Sequence, residues 1–275
     1  MENIKKYRKV IKEFIPPLIL RAIQNKNKKY GFFGNYSSWS DAQKKTTGYN
    51  SDNILEKVKA GALKVKNNEA LYERDGIIFD KIDYSWPLLA HLLWIASKNN
   101  GRLNLIDFGG SLGTTYFQNK NYFENLKELK WNIVEQKNFA DCGKELFEDN
   151  NLKFFYTIED CLSKENSKII LISSVLQYLY NPYEFLEKII NLNFDYIIFD
   201  RTTFIKNDDR ITIQKVPPKI YDASYPCWLF NQAKFLKILK RNYKLIAEFD
   251  AHIGTKILLK DTTATYKGFC FKKIK

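Results

Sequence analysis

An apolar run, LNLIDF (103–108), carries Asp107 near its end. Gly109 and Gly110 follow at once, and Gly113 comes three residues later. Glycines at such a turn let the backbone close against a ligand, because no Cβ intervenes and positive φ is open to them. A second run, WNIV (131–134), is followed by Glu135, whose two carboxylate oxygens match the vicinal hydroxyls of a ribose. Two further runs end in polar residues able to act on a bound molecule. Ser173 and Ser174, with Gln177 just beyond, follow IILI, and Asp200 and Arg201 follow YIIF. Asp200 is a possible proton acceptor. Arg201 is either an anion anchor or part of a structural ion pair with the insertion that follows. His252, in FDAHIGT, has an ordinary pKa close to neutrality and could take a proton from an acceptor; a surface or structural histidine is the alternative.

The spacing of the glycines narrows the ligand. A dinucleotide fingerprint needs glycines at the first, third and sixth places. Counting from Gly109 puts Ser111 and Thr114 at the later places, and counting from Gly110 puts Leu112 and Thr115 there. A Walker A loop is excluded too, since no Lys-Ser or Lys-Thr follows the glycines. The ligand expected is nucleotide-like, without a pyrophosphate or triphosphate.

The elements that would carry these residues alternate. Short apolar runs at 103–108, 131–135, 153–156, 169–173 and 196–200 have helical patterns between most of them, such as NPYEFLEKIINL, where Pro182 suits a first helical turn. Runs at 243–249 and 266–271 follow. Short, fully apolar strands alternating with helices imply an α/β fold with a doubly wound, mostly parallel, seven-stranded Rossmann-like sheet. YSWPLLAHLLWIASKNNG (84–101) reads as a buried helix stopped by Gly101, with His91 a core or interface histidine beside Leu88, Trp94 and Ile95. Residues 1–81 read as a helical and loop extension that would cover the site as a lid, including a helix over NILEKVKAGALKVK capped by Ser51 or Asp52. The remainder, 82–275, reads as the main domain. Its regularity lapses over about 201–230, an insertion placed where open α/β sheets bind their ligands.

Net charge is +13, and the first thirty residues are rich in lysine and arginine. That balance favours an anionic partner, although a scattered lysine excess is more often solvated surface. Four widely spaced cysteines and two histidines give neither a zinc knuckle nor a disulfide framework. No stretch is long and apolar enough to span a bilayer and no signal-peptide pattern opens the chain, so a cytoplasmic protein is expected. Pro16, Pro17 and Arg21 interrupt the one segment, 14–23, that could lie on a membrane surface.

LIDFGGSLG, WNIVEQ and IILISSVLQYL together resemble motifs of Rossmann-type S-adenosylmethionine-dependent methyltransferases, over residues 103–200. GNYSSWSDA, GYNSDNIL, and DRTTF followed by ITIQKVPPKIYDASYPCWLF, resemble methyltransferases of bacterial O-antigen and capsular polysaccharide gene clusters, over most of residues 30–271. The resemblance implies S-adenosylmethionine as cofactor. Asp107, Gly109, Gly110 and Gly113 would surround its methionine part, and Glu135 with Gln136 would hold the ribose. Thr157, Ile158 and Glu159 would flank the adenine, and Ser173 and Ser174 would line the transfer site.

The acceptor implied is small: a nucleotide-linked or phosphorylated sugar precursor of such a polysaccharide, methylated on a hydroxyl, phosphate or phosphoramidate oxygen. Gln177, Arg201, Tyr221, Ser224 and Tyr225 are its expected contacts, with Trp228 close by and Tyr36, Trp39 and Tyr49 from the N-terminal region. Aromatics in such loops are also often mere packing. Two other readings stand beside this one. One is an RNA or nucleic-acid methyltransferase, motivated by charge but lacking the N/D-P-P-Y/F tetrapeptide after the fourth strand. The other is a non-catalytic cofactor-binding partner of a polysaccharide assembly. No metal is implied, nucleic acid is not the expected partner, and the oligomeric state is open.

Overall fold

Alternate residues of the central strands enter two different cores, and that double burial builds the sheet. Leu103, Leu105, Trp131, Ile133, Ile169, Leu171 and Ile198 join one apolar cluster, whereas Ile106, Val134, Ile170, Ile172, Ile197 and Phe199 join another on the opposite face. A strand buried on both sides needs helices on both sides, which is what parallel crossovers supply.

The computed structural model describes residues 29–48, 51–254 and 256–274. The basic start, the segment 14–23, Tyr49 and the cap of the first long helix lie outside the described residues or side chains. In chain order come β1 (Gly31–Tyr36), α1 (Trp39–Gln43), α2 (Ser51–Lys66), β2 (Tyr72–Arg74), β3 (Ile77–Phe79), α3 (Trp86–Lys98) and β4 (Arg102–Phe108). These are followed by α4 (Thr114–Asn119), β5 (Glu128–Val134), α5 (Lys137–Leu146), β6 (Leu152–Phe155), α6 (Ile158–Lys164), β7 (Ile169–Ser173) and α7 (Pro182–Asn191). The last are β8 (Tyr196–Ile205), β9 (Arg210–Lys215), β10 (Ser224–Asn231), α8 (Gln232–Leu239), β11 (Tyr243–Asp250), β12 (Lys256–Leu258) and β13 (Thr263–Lys273).

The parallel strands run β6-β5-β4-β7-β8, and β13 lies antiparallel to β8 with β11 antiparallel to β13. These seven form the doubly wound, mostly parallel sheet expected, with α2 to α5 contributing to one core and α6, α7 and α8 to the other.

The structure differs from the sequence reading at two places. The stretch after Arg201 is not irregular: β8 continues to Ile205, and its far end pairs in parallel with β10, which pairs with β9. The N-terminal region is not only helix and loop, because β1 pairs with β9 at the sheet's edge and β2 and β3 form a hairpin. At Arg201 the backbone adopts φ +49. There β8 leaves the shorter β7 and takes up β10, so the sheet forks at its carboxyl edge.

The β2–β3 hairpin turns through Asp75 and Gly76, both at positive φ, as a two-residue hairpin loop requires. Glu73 fastens it to the sheet domain. One carboxylate oxygen accepts from the Gly76 amide at 2.6 Å, and the other from the Thr114 hydroxyl at the start of α4 at 3.0 Å. Gly61 lets α2 close over this contact, since a Cβ there would lie 2.7 Å from Glu73 Cγ. Burial pushes the Glu73 pKa up to about 7, against the two hydrogen bonds that favour its charged form. An acid whose folded pKa is raised contributes stability that is fully present below its unfolded pKa, near 4.5, and lost as pH rises through about 7. Urea unfolding from pH 4.5 to 8 is therefore expected to show about 3 kcal/mol of pH-dependent loss that Glu73→Gln removes. An unchanged pH profile in the variant would contradict the burial of this carboxyl.

Candidate functional site

The glycine loop is a fixed object because each of its glycines faces an obstacle. Gly109 has φ +73, and a Cβ on it would lie 2.3 Å from Val175 Cγ2, in the loop after β7. A Cβ on Gly110 would lie 2.7 Å from the Asp107 carboxyl, and Gly113, at φ +95, opens α4. Asp107 itself is 1% exposed and accepts from the Trp131 indole at 3.0 Å. Burial raises its pKa to about 7. It is the buttress beneath the loop rather than part of its open face.

Glu135 stands just past the tip of β5. Its carboxylate accepts from the amide of Ser111 in the glycine loop at 3.2 Å and from the amide of Gln136 at 2.8 Å. Burial raises its pKa in spite of these two donors. Each oxygen is engaged once, and a carboxylate oxygen has a second acceptor position. Loop and carboxylate are thus one unit, held together before any ligand arrives. The residues expected to follow β6 are already employed. Thr157 caps α6 by accepting from the Asp160 amide at 3.0 Å, Ile158 is buried, and Glu159 pairs with Lys188 at 2.7 Å. Gln136 is the exposed residue before α5, contributing its backbone amide.

The fork after β8 gathers the second set. Ser173 donates to Asp200 Oδ2 at 3.0 Å, Arg201 Nε donates to the Ser173 hydroxyl at 3.1 Å, and the same Nε lies 3.4 Å from Asp200 Oδ2. Ser174, at φ +60, donates its amide to the Asp200 carbonyl at 2.9 Å. Gln177 donates to the Arg201 carbonyl at 3.1 Å. His252 reaches the same edge because β11 runs parallel to β8, through β13, and ends just before it. Burial holds the His252 pKa below its usual value; the charge of Asp200 opposes that shift, and the charges of Arg201 and Arg74 reinforce it.

Buried polar atoms without a partner are rare in folded proteins, and each calls for a physical explanation. Eight such side-chain atoms occur among the described residues, and five belong to this edge: Asp200 Oδ1, Gln177 Oε1, both ring nitrogens of His252, and a terminal nitrogen of Arg74. By contrast, a cavity of about 520 Å³ lined by Tyr116, Lys120, Lys127 and Asn151 opens at the amino end of β5 and holds none of these groups.

The acceptor-side residues divide. The Tyr221 and Tyr225 hydroxyls lie 3.3 Å apart, Tyr225 meets Tyr178 edge to face at 5.2 Å, and the Tyr178 hydroxyl donates to Gln214 at 2.8 Å. Burial raises the pKa of Tyr178, Tyr221, Tyr225 and Tyr266 alike, so their hydroxyls stay neutral donors. Ser224 is spent on structure: its hydroxyl accepts from the Thr47 amide at 2.9 Å, and its amide donates to the Thr47 hydroxyl at 2.9 Å. Trp39 stacks on Trp228 at 6.2 Å, and both join Tyr36, Ala42, Ile211 and Ile213 in a separate small core. His91 bonds the Pro87 carbonyl through Nδ1 at 2.6 Å and stacks on Phe249, in keeping with a packing role.

Sequence reasoning missed the hairpin. Arg74 acts electrostatically on His252, and Asp75 on Tyr221, Tyr225 and Tyr266. The signal was the Asp-Gly pair in YERDGIIF, a strong short-range mark of a two-residue turn.

No family model and no curated protein matches the chain. Among solved structures, the N-terminal domain of EvdMO1, crystallised in the presence of SAH and D-fucose, is similar over 82% of this chain and 98% of its own. The identity is 11% and the TM-score 0.46. Magnesium protoporphyrin IX methyltransferase (ChlM) from Synechocystis PCC 6803, with bound SAM, is similar over 94% of this chain and 96% of its own, at 11% identity and a TM-score of 0.41. LepI in complex with SAM matches over 68% of this chain, which spans only 46% of LepI, at 10% identity and a TM-score of 0.41. Function is accordingly read from the site's own geometry.

Gly109→Ala is expected to cost about 2–4 kcal/mol, combining a left-handed alanine with overpacking against Val175. The denaturation midpoint in urea measures it. A variant as stable as wild type would show that the loop is not held against β7.

Proposed function

We propose that the chain is an S-adenosylmethionine-dependent methyltransferase of small molecules. The observation that carries this reading is the joining of Glu135 to the glycine loop through the Ser111 amide, directly beside the cluster of unpartnered groups at the fork. The donor set fits the cofactor: a half-engaged carboxylate for a ribose diol, and a loop that offers no pyrophosphate cradle. Asp107, Gly109, Gly110 and Gly113 would shape the methionine end, and the backbone beside Thr157, Ile158 and Glu159 the adenine end. When bound, the cofactor supplies a sulfonium methyl that is already a strong electrophile.

What remains for the chain is to place an oxygen in line with that methyl and to exclude water. His252, neutral near pH 7 because of burial, carries one ring N–H and has its other, unprotonated nitrogen to take the proton of an acceptor hydroxyl; neither nitrogen has a partner among the described residues. Asp200, one oxygen tied to Ser173, leaves Oδ1 to orient the imidazole or the acceptor. Tyr178, Tyr221 and Tyr225 give ring faces and hydroxyls of the kind that hold sugars, which supports a polysaccharide precursor as acceptor. An anionic phosphate or phosphoramidate oxygen would need no base. The hairpin and the described part of residues 1–81 would serve as the cover over this site. Among the described residues no helix is long and apolar enough to cross a membrane.

Glu135→Ala is expected to weaken S-adenosylhomocysteine binding about 100-fold, the scale of two hydrogen bonds to a charged acceptor. Isothermal calorimetry measures it. Unchanged affinity would overturn the ribose assignment and the reading built on it.

A further inference from the structure

Arg74 is the least explained charge in the molecule. It ends β2 and leads into the Asp75-Gly76 turn, with its guanidinium 5.3 Å from the ring centroid of Phe79. One terminal nitrogen is buried and without a hydrogen-bond partner, and among the described residues Arg74 makes no salt bridge. Neither neighbouring carboxyl pairs with it: Glu73 is turned to Gly76 and Thr114, with its pKa raised to about 7 by burial, and among the described residues Asp75 makes no salt bridge with it. A guanidinium nitrogen removed from water without a partner is costly, and a protein keeps such an arrangement where a ligand completes it.

Its position says which ligand. The hairpin is locked to the first residue of α4 by the Glu73–Thr114 bond, which fixes Arg74 relative to the carboxyl edge. Its charge acts on His252 and on Tyr72, and the charge of Arg201 acts on the same two residues, while Asp200 and Asp83 act on His252 with the opposite sign. One histidine thus feels both guanidiniums. Arg201 is held by Nε, through Ser173 and Asp200, which leaves the planar fork fixed in place by its inner nitrogen. Asp200 offsets the charge of Arg201, whereas that of Arg74 has no such partner. Fixed, planar, partly buried donors of this kind recognise phosphoryl or carboxylate oxygens, and Arg does so in preference to Lys because its fork is bidentate.

We propose that Arg74 and Arg201 form a two-guanidinium clamp for a phosphoryl group on the methyl acceptor, placing the acceptor oxygen beside His252. The clamp rests on the methyltransferase reading for what the phosphoryl group is attached to, but not for its existence. It also gives the hairpin a role in selecting the acceptor. With Arg74 at its turn, the hairpin favours a charged acceptor over a neutral sugar.

Calorimetry at low ionic strength with inorganic pyrophosphate as the probe tests the clamp in the full chain. Wild type is expected to bind it at least about tenfold more tightly than Arg74→Gln, with Arg74→Lys between them because the charge is kept and the fork is lost. Thermal unfolding of each variant checks that the fold persists, and the lysine variant keeps the comparison informative if the glutamine variant does not fold. Equal affinities, or no binding by wild type, would overturn the clamp. A second arm separates the two sources of an anionic group. S-adenosylhomocysteine carries an amino-acid carboxylate and 5′-methylthioadenosine lacks it. Both are expected to bind Arg74→Gln as they bind wild type. A loss confined to S-adenosylhomocysteine would assign Arg74 to the cofactor and overturn its role toward the acceptor. If wild type binds pyrophosphate but neither nucleoside, the methyltransferase reading fails and the anion site stands.

Discussion

Everything at the site depends on one mismatch in length. β7 ends at Ser173, whereas β8 passes its own pairing with β7 at Asp200 and runs on to Ile205. A strand that outlasts its neighbour has to find new hydrogen-bond partners, and β8 finds β10 on that side while β13 accompanies it along its whole length on the other. The change of partner is made at Arg201, in a left-handed conformation that a non-glycine residue adopts at a cost of order 1–3 kcal/mol. Ser111 and Ser174 sit at positive φ at the ends of the neighbouring strands. Three of the seven non-glycine residues at positive φ among the described residues thus lie along the carboxyl edge.

The electrostatics of that edge follow from burial. Desolvation raises Asp107 and Glu73 to about 7 and raises Glu135 as well, and it lowers His252. Acids and base are all moved toward their neutral forms, as a low-dielectric setting dictates. In such a setting the charges that persist act strongly on one another. The guanidiniums cannot neutralise themselves by losing a proton, and they define the potential that a ligand meets.

Sequence patterns disclosed the parallel sheet because its strands are apolar on both faces and too short to be helices. The glycine loop, Glu135, Ser173 and the Asp200–Arg201 pair were visible because each comes at the end of such an apolar run. The edge subdomain was less legible. RITIQK (210–215) alternates in the period-2 manner of a half-buried strand, yet its partner β1 lies near the other end of the sequence, where GFFGNY shows no comparable alternation. Nothing local announces that pairing. Tyr36, Trp39 and Ser224 have side chains suited to a sugar, and only tertiary context shows the first two packed into a small core and the third fastened to Thr47. The hairpin carried its own sign in Asp-Gly; its significance lies in what it is docked against, which no window of sequence contains.

The edge position of β1 has a consequence in time. Gly31 pairs with Lys215, 184 residues later, and the Thr47–Ser224 clasp spans a similar interval. At ribosomal rates of about 5–20 residues per second, β1 waits roughly 10–40 s for its partner to emerge. The central strands can collapse during that interval, because most of their contacts lie between neighbours in the chain. The side of the sheet that borders the fork is therefore closed across a long interval of chain, around parallel strands already made and before β11 and β13 complete the other edge.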